Sequence, residues 1–375
     1  MKISLISQNS SPILHFRKEL IEYLIKQGHT VYAFAIDYTS ATKSQVEQLG
    51  AIPVEYSLNK SGLNPIHDLR DTFLLSKKLK AIQPDAVFSF FVKPSIYGTI
   101  AAKLAGVPRR IAMLEGLGYI HTLTGEGFNF KKRILQKIHG LLCTVGYAFA
   151  DKVLFLNPDD PIDISKHAFI NKSKIQVVGG IGLNLNHYPF REVSPSKPIR
   201  FIFIARLLAE KGVFEFLEAV RILKKQNVNA EFIVLGGLDH DNPAALTQNQ
   251  LDAVIDEQLI IYPGHVNNVQ DWLSSAHVFV LPSYREGVPR STQEAMAIGL
   301  PIITTDVPGC RETVIDGLNG FIVPPFSADL LAKKMYYFIE NPNEIARMGH
   351  ESHRLAVNKF DVNKINPMLE KIITG

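Results

Sequence analysis

Short continuous apolar runs alternate along this chain with stretches whose apolar positions recur at helical spacing, and small polar or glycine-rich segments separate them. Residues 2–7 read as a buried strand that ends in the polar loop Gln8-Asn9-Ser10-Ser11. Residues 14–27 read as a helix stopped by Gly28 and residues 30–36 as the next strand, completing a βαβ unit. The alternation continues through strand 52–56, helix 67–82, strand 86–90, helix 95–105, strand 111–114, helix 130–149 and strand 152–156. It resumes with strand 199–205, helix 213–225 and strands 230–236 and 259–263. Residues 277–281 and 300–303 are two more strands; between them Gly287, Val288 and Pro289 lead into a helix over 291–298 that Gly299 closes. A helical region opens at residue 333, and another covers 362–373. Strands alternating with helices predict α/β domains, each with a parallel sheet covered on both faces.

The chain's 375 residues exceed the size at which one core keeps growing, so two domains are expected, over 1–190 and 191–361. Residues 186–198, with three prolines and no periodicity, read as the linker, and 362–375 as a helix that crosses back onto the first domain. The 46% hydrophobic and 20% charged composition is that of a globular α/β protein. The chain runs from Met1 straight into a strand pattern and contains no run of 18 apolar residues, so a cytoplasmic location is expected. Cys143 and Cys310 are too few for a metal cluster and read as buried thiols. Charge divides unevenly, with 22 Lys and Arg against 14 Asp and Glu in residues 1–190, and 18 against 22 in the remainder. Such an asymmetry suits a phosphorylated substrate or an anionic membrane surface; nucleic acid is not expected, since no zinc-finger, RNP or basic-zipper pattern occurs.

The densest chemistry lies between Glu286 and Gly299. Glu286 falls in the loop at a strand's carboxyl end and Glu294 one turn inside the following helix, so both carboxylates can face one crevice beside a helix N-terminus. A ligand there should combine negative charge with hydroxyl groups, although Glu294 could equally be a solvated first-turn glutamate. Arg206 and Lys211 stand between strand 199–205 and the next helix, where a diphosphate would bind. Gly236 follows one strand, and Gly264-His265-Val266 follows another, where backbone groups can read the edge of a base. Asp239-His240-Asp241 has the form of a metal-holding triplet, but the Arg and Lys pair already supplies positive charge, so no metal is expected.

Three segments of the first half carry candidates. Lys93 stands beside a helix start at the sheet edge and could hold an acceptor phosphate, or be merely solvated. In Glu115-Gly116-Leu117-Gly118-Tyr119-Ile120-His121 the glycines free the backbone for close approach to a ligand, and either Glu115 or His121 could act as a base. Lys131, Lys132, Arg133 and Lys137 gather at the start of the helix in the 129–149 segment, which suits an anionic membrane interface or a core helix with a charged end.

Arg206 and Lys211 in A-R-L-x4-K-G, Gly236-Gly237, and E-G-V-P-R-S-T-Q-E-A-M-A-x-G from Glu286 through Arg290 and Glu294 to Gly299 resemble the retaining glycosyltransferases of family 4. His15-Phe16-Arg17, the Lys93-Pro94-Ser95 segment and Gly116-Leu-Gly-Tyr119 are similar to bacterial enzymes that add an N-acetylhexosamine to a polyprenyl-diphosphate-linked sugar in glycan or capsule assembly. The resemblance implies a GT-B fold of two facing Rossmann-like domains, a UDP-sugar donor on the second, a lipid-linked acceptor on the first, and no metal. It implies donor contacts from Gly236, Gly264, Val266, Gly287, Val288, Arg290 and Glu294, and acceptor contacts from Asn9, Ser10, Arg17, Lys93, Gly116, Gly118 and Tyr119. Arg206, Lys211 and the helix N-terminus would neutralise the leaving diphosphate, Glu294 would hold the ribose hydroxyls and Glu286 a donor-sugar hydroxyl. Many relatives place a histidine where Glu115 stands. Retention suggests front-face attack, with double displacement the alternative.

A UDP-sugar 2-epimerase and a non-catalytic sugar-binding protein of two α/β domains are the competing readings. Because the positive charge comes from Arg206 and Lys211, sugar transfer should persist in the presence of a chelator. Loss of activity restored by Mg²⁺ or Mn²⁺ would return Asp239 and Asp241 to the metal reading.

Overall fold

The computed structural model describes all residues except 60–64, 124–126, 128–129, 194–196, 240–241 and 243, and the side chain of Pro65. Two compact units account for the chain, the first comprising Met1–Ile120, Phe130–Gly182 and Val362–Gly375, the second His121–Asn129 and Leu183–Asp361. The main break thus falls at Gly182/Leu183, ahead of the 190/191 boundary drawn from the linker composition.

In the first unit the elements run β1 (Lys2–Ile6), α1 (Ser10–Phe16), α2 (Lys18–Lys26), β2 (Thr30–Ala35), α3 (Ser40–Gln48), β3 (Ile52–Glu55), α4 (Pro65–Ile82), β4 (Ala86–Phe90), α5 (Val92–Leu104), β5 (Arg109–Leu114), α6 (Phe130–Ala148), β6 (Lys152–Phe155), α7 (Asp159–Ile164) and β7 (Ile175–Val177). All pairings are parallel, in the order β3-β2-β1-β4-β5-β6-β7. Strand order therefore reverses between β1 and β4. The central strands are apolar on both faces because helices cover both; β4 is buried at every position. The helix expected over 14–27 is two helices. The chain turns at Arg17, whose φ of −120° lies outside the helical range and carries the side chain inward.

The second unit repeats the plan with β8 (Ile199–Ile204), α8 (Val213–Lys225), β9 (Ala230–Leu235), α9 (Gln248–Asp256), β10 (Ile261–Gly264), α10 (Val269–Ser275), β11 (Val278–Leu281), α11 (Arg290–Ile298), β12 (Ile302–Thr305), β13 (Gly320–Val323), α12 (Ala328–Glu340) and α13 (Asn343–Lys359). Its six parallel strands follow the order β10-β9-β8-β11-β12-β13, which reverses between β8 and β11. A final helix, α14 (Val362–Thr374), belongs to the first unit and packs on α2 and β5. Its Glu370 takes hydrogen bonds from Tyr23 (3.1 Å) and faces His29 Nε2 at 3.1 Å, while Arg109 donates to the Ile372 carbonyl at 2.7 Å. Among the described residues no helix is long and apolar enough to cross a membrane.

Candidate active site

The switch points of the two sheets are where loops diverge and leave room for a ligand. Beyond β8 the chain passes Arg206 and a short turn over Ala209–Lys211, and Gly212 adopts φ 74°, ψ 24° before α8 begins. A Cβ on Gly212 would approach the Pro282 carbonyl oxygen to 2.1 Å, so glycine is what lets this turn touch the loop after β11. The contact delivers Lys211 to Glu286. Lys211 Nζ lies 2.6 Å from Glu286 Oε1, and Ser283 Oγ donates to the same oxygen at 2.8 Å. Both charged side chains are mostly buried, Lys211 at 20% and Glu286 at 12% exposure. Thr305, at the end of β12, donates its hydroxyl to the Ser283 carbonyl, and the Glu286 N–H donates to the Pro308 carbonyl at 3.0 Å. The loop is thereby held from two sides.

Arg206 is placed differently, 63% exposed with Nη1 3.3 Å from Asp239 Oδ2. Asp241, the other half of the acidic triplet, lies outside the described residues. Past Gly287 and the buried Val288, Pro289 stands at the N-cap of α11 without a side-chain cap, so the amides of the first turn point toward the loop that carries Glu286. Inside that helix Arg290 Nε sits 3.2 Å from Glu294 Oε1. Burial pushes the Glu294 carboxyl up from its ordinary range, while the Arg290 guanidinium and the Tyr188 hydroxyl draw it back in part. The loops after β9 and β10 are tied together because Gly236 N–H donates to the Gly264 carbonyl at 3.0 Å. That carbonyl is therefore engaged within the fold.

In the first unit Asn9 and Ser10 occupy the loop after β1. The Ser7 hydroxyl donates to the Asn9 carbonyl at 2.8 Å, and Asp37 accepts from the Ser10 amide at 2.7 Å. Arg17 corrects the sequence expectation of an acceptor contact, since it is 1% exposed and cannot meet a ligand from solvent. Its guanidinium lies 4.8 Å from the Phe90 ring centroid and donates to Glu115 and, at 3.4 Å, to Met113 Sδ. Glu115 is therefore engaged by a buried cation. Burial pushes its carboxyl up, and Arg17 offsets part of the shift. His121 is buried rather than poised on a surface loop, and its carbonyl lies 3.5 Å from Arg285 Nη1. Lys93 stands two residues past Phe91, which takes the unusual φ 72°, ψ 164°. Its ammonium is 3.0 and 3.2 Å from the two oxygens of Asp68, a carboxylate that also accepts from Tyr97 at 3.0 Å, so Lys93 carries no spare charge until a ligand competes for it.

Gly116 and Gly118 take φ 136° and 74°, and Tyr119 beside them is exposed. Of the four basic residues expected to face a membrane, Lys131, Arg133 and Lys137 are exposed, whereas Lys132 is buried with Nζ 3.9 Å from the Tyr119 ring centroid. That is a correction to the membrane reading. Asn129, ahead of the helix, lies outside the described residues.

Residues 2–157 match the model of the glycosyl transferase 4-like family and residues 186–354 that of the group 1 glycosyl transferases. A putative teichuronic acid biosynthesis glycosyltransferase of Bacillus subtilis is 36% identical over 310 residues, 80% of this chain and 73% of that one. The chain belongs to the family 4-like glycosyltransferases. A Campylobacter jejuni enzyme named as an N,N'-diacetylbacillosaminyl-diphospho-undecaprenol alpha-1,3-N-acetylgalactosaminyltransferase is 29% identical over 355 residues, 91% of this chain and 90% of that one. The GT-B fold is shared with Anabaena HepE, solved with UDP and glucose, at a TM-score of 0.77 and 18% identity, over 99% of this chain and 98% of that one.

Sequence reasoning missed two residues of this glycosyltransferase's site. Ser283 precedes Glu286 by one turn of loop, and a hydroxyl that close to a candidate carboxylate was a usable signal. Tyr188 reaches Glu294 from the segment read as linker, and nothing local marks it. The Arg17–Glu115 pair generates a stability prediction. Arg17→Met should cost about 3–5 kcal/mol in urea unfolding, because Glu115 would be left buried without its cation, and adding Glu115→Leu should restore much of the loss. A single variant as stable as wild type would show that the pair is not buried as described.

Proposed function

We propose that this glycosyltransferase moves an N-acetylhexosamine, with retention, from a UDP-sugar to a polyprenyl-diphosphate-linked glycan during assembly of a bacterial surface polysaccharide or glycoprotein glycan. The observation that carries the reading is the meeting of Lys211, Glu286 and the uncapped N-terminus of α11 at one switch point. Cation, carboxylate and helix amides within one loop cluster suit a ligand that is both a diphosphate and a sugar. The activity for which the Campylobacter jejuni relative is named supports both the N-acetylhexosamine and the lipid-linked acceptor.

In the proposed reaction the bond from the sugar's anomeric carbon to the diphosphate breaks, and a bond to the acceptor hydroxyl forms on the same face. The acceptor proton passes to the departing phosphate oxygen. Lys211 turns from Glu286 toward that phosphate, which releases Glu286 to a donor-sugar hydroxyl; Arg206 adds a second cation, and Glu294 takes the ribose hydroxyls. The acceptor is held by the first unit near Gly116, Gly118, Tyr119 and Lys93. We place the protein in the cytoplasm at the inner face of the cell membrane, where Lys131, Arg133 and Lys137 meet anionic lipid.

Purified protein given a panel of UDP-sugars, with and without a polyprenyl-diphosphate glycan, should extend the glycan and release UDP only when both substrates are present. Consumption of the UDP-sugar without acceptor would indicate an epimerase, and binding without turnover a sugar-binding protein. Arg206→Ala and Lys211→Ala should each lower turnover by about 10²- to 10³-fold. Near-normal turnover in both would mean that neither side chain neutralises the leaving diphosphate.

A further inference from the structure

In the proposed reaction Lys211 leaves Glu286 for the diphosphate, and the ion pair that joins their two loops is then gone. What holds the loops in place afterwards has to be independent of that pair. Contacts between the turn before α8 and the loop after β11 meet this condition. Gly212 packs on the Pro282 carbonyl so closely that no Cβ would fit. The Tyr284 N–H donates to the Glu210 carbonyl at 2.9 Å. The Tyr284 hydroxyl donates to Glu215 Oε1 at 2.7 Å. Tyr284 thus grips the chain on both sides of Lys211, just before it through the backbone and about one helical turn after it through the side chain.

The hydroxyl bond is a strut with fixed ends. Glu215 stands in the first turn of α8 and is carried by that helix. Its other oxygen is buried and meets no partner, so among the described residues Tyr284 supplies the hydrogen bond that holds this carboxylate. The Tyr284 ring is seated on Phe326, with ring centroids 4.3 Å apart. Phe326 follows β13 and takes φ 60°, a left-handed conformation that is costly for so large a side chain and persists only where the surroundings impose it. Ring and carboxylate therefore point the hydroxyl one way. A hydroxyl donating to a carboxylate is also stronger than a bond between neutral groups. We infer that Tyr284 and Glu215 are positioning residues that aim Lys211 at the donor diphosphate. Neither has to touch the nucleotide. The inference rests on the reading of Lys211 as the cation of the leaving diphosphate and deepens it by naming what steers that cation.

Calorimetric titration of the full chain with UDP tests it without acceptor or sugar transfer. Tyr284→Phe should weaken UDP binding about fivefold in a chain that keeps Lys211. In the Lys211→Ala background the same substitution should change it by less than about twofold, because no cation is left to aim. Glu215→Gln, whose amide oxygen can still accept from Tyr284, should lose less affinity than Glu215→Leu. The paired variant Tyr284→Phe, Glu215→Leu removes the strut without stranding a carboxylate, so it should give the same loss even if Tyr284→Phe alone fails to fold. A tyrosine that serves only the fold would weaken binding equally in both backgrounds, and that result would overturn the inference. Unaltered UDP affinity in both Tyr284→Phe and the paired variant would overturn it too. Absence of UDP binding by wild type would overturn the donor reading and this inference together, whereas equal losses in a chain that does bind UDP would overturn this inference alone.

Discussion

Two parallel neighbours cannot be joined by a tight turn, and this constraint organises the molecule. Each strand must hand the chain to a crossover that returns it to the same end, so most strands' carboxyl termini become loops feeding a helix N-terminus. Arg206 and Lys211 follow β8 for this reason, Glu286 follows β11, and Lys93 follows β4. Where strand order reverses, two such loops part instead of crowding, and β8 and β11 form the reversal that brings Lys211 to Glu286. Residues distant in sequence thus share one sheet edge without any feature of their own specifying it.

Solvent access then sorts the charged pairs into two kinds. Arg17 and Glu115 neutralise each other in the interior, and neither can exchange its partner without stranding a buried charge, so that pair belongs to the architecture. Arg206 and Asp239 meet at the surface, where an ion pair contributes only about 0–1 kcal/mol and yields easily to a competing anion. Lys211 and Glu286 lie between these limits, held by Ser283 yet partly accessible. The same chemical pairing therefore has different meanings at different depths, and depth is what separates structural from exchangeable cations in this fold.

The sequence made the strands legible because a strand covered on both faces must be almost wholly apolar, as β4 and β11 are. It made the Glu286 and Glu294 pair legible because spacing within one loop and one helix is local information. Helix α3 was not visible; only Val46 of its nine residues is buried, which leaves no apolar stripe to read. The short β13 was missed for a different reason: after Gly320 it has only the three apolar residues Phe321–Val323, too brief a run to stand out. What stayed out of reach was contact between distant segments. Arg17 looked like a ligand-facing cation because nothing near it in sequence announces Glu115, Phe88 and Phe90. The cations of α6 are plain in the sequence, but only the packing of the helix shows which of its apolar residues remain outside the core.

Helix α14 has a bearing on how the molecule comes into being. It fastens onto α2 and β5 through Glu370 and the Ile372 carbonyl, yet it leaves the ribosome only after the whole run from Leu183 to Asp361 has been made. The first unit consequently begins first and finishes last. During synthesis its α2 and β5 surfaces wait uncovered until the whole segment that forms the second sheet has been made, so the earlier-begun unit cannot be completed before then.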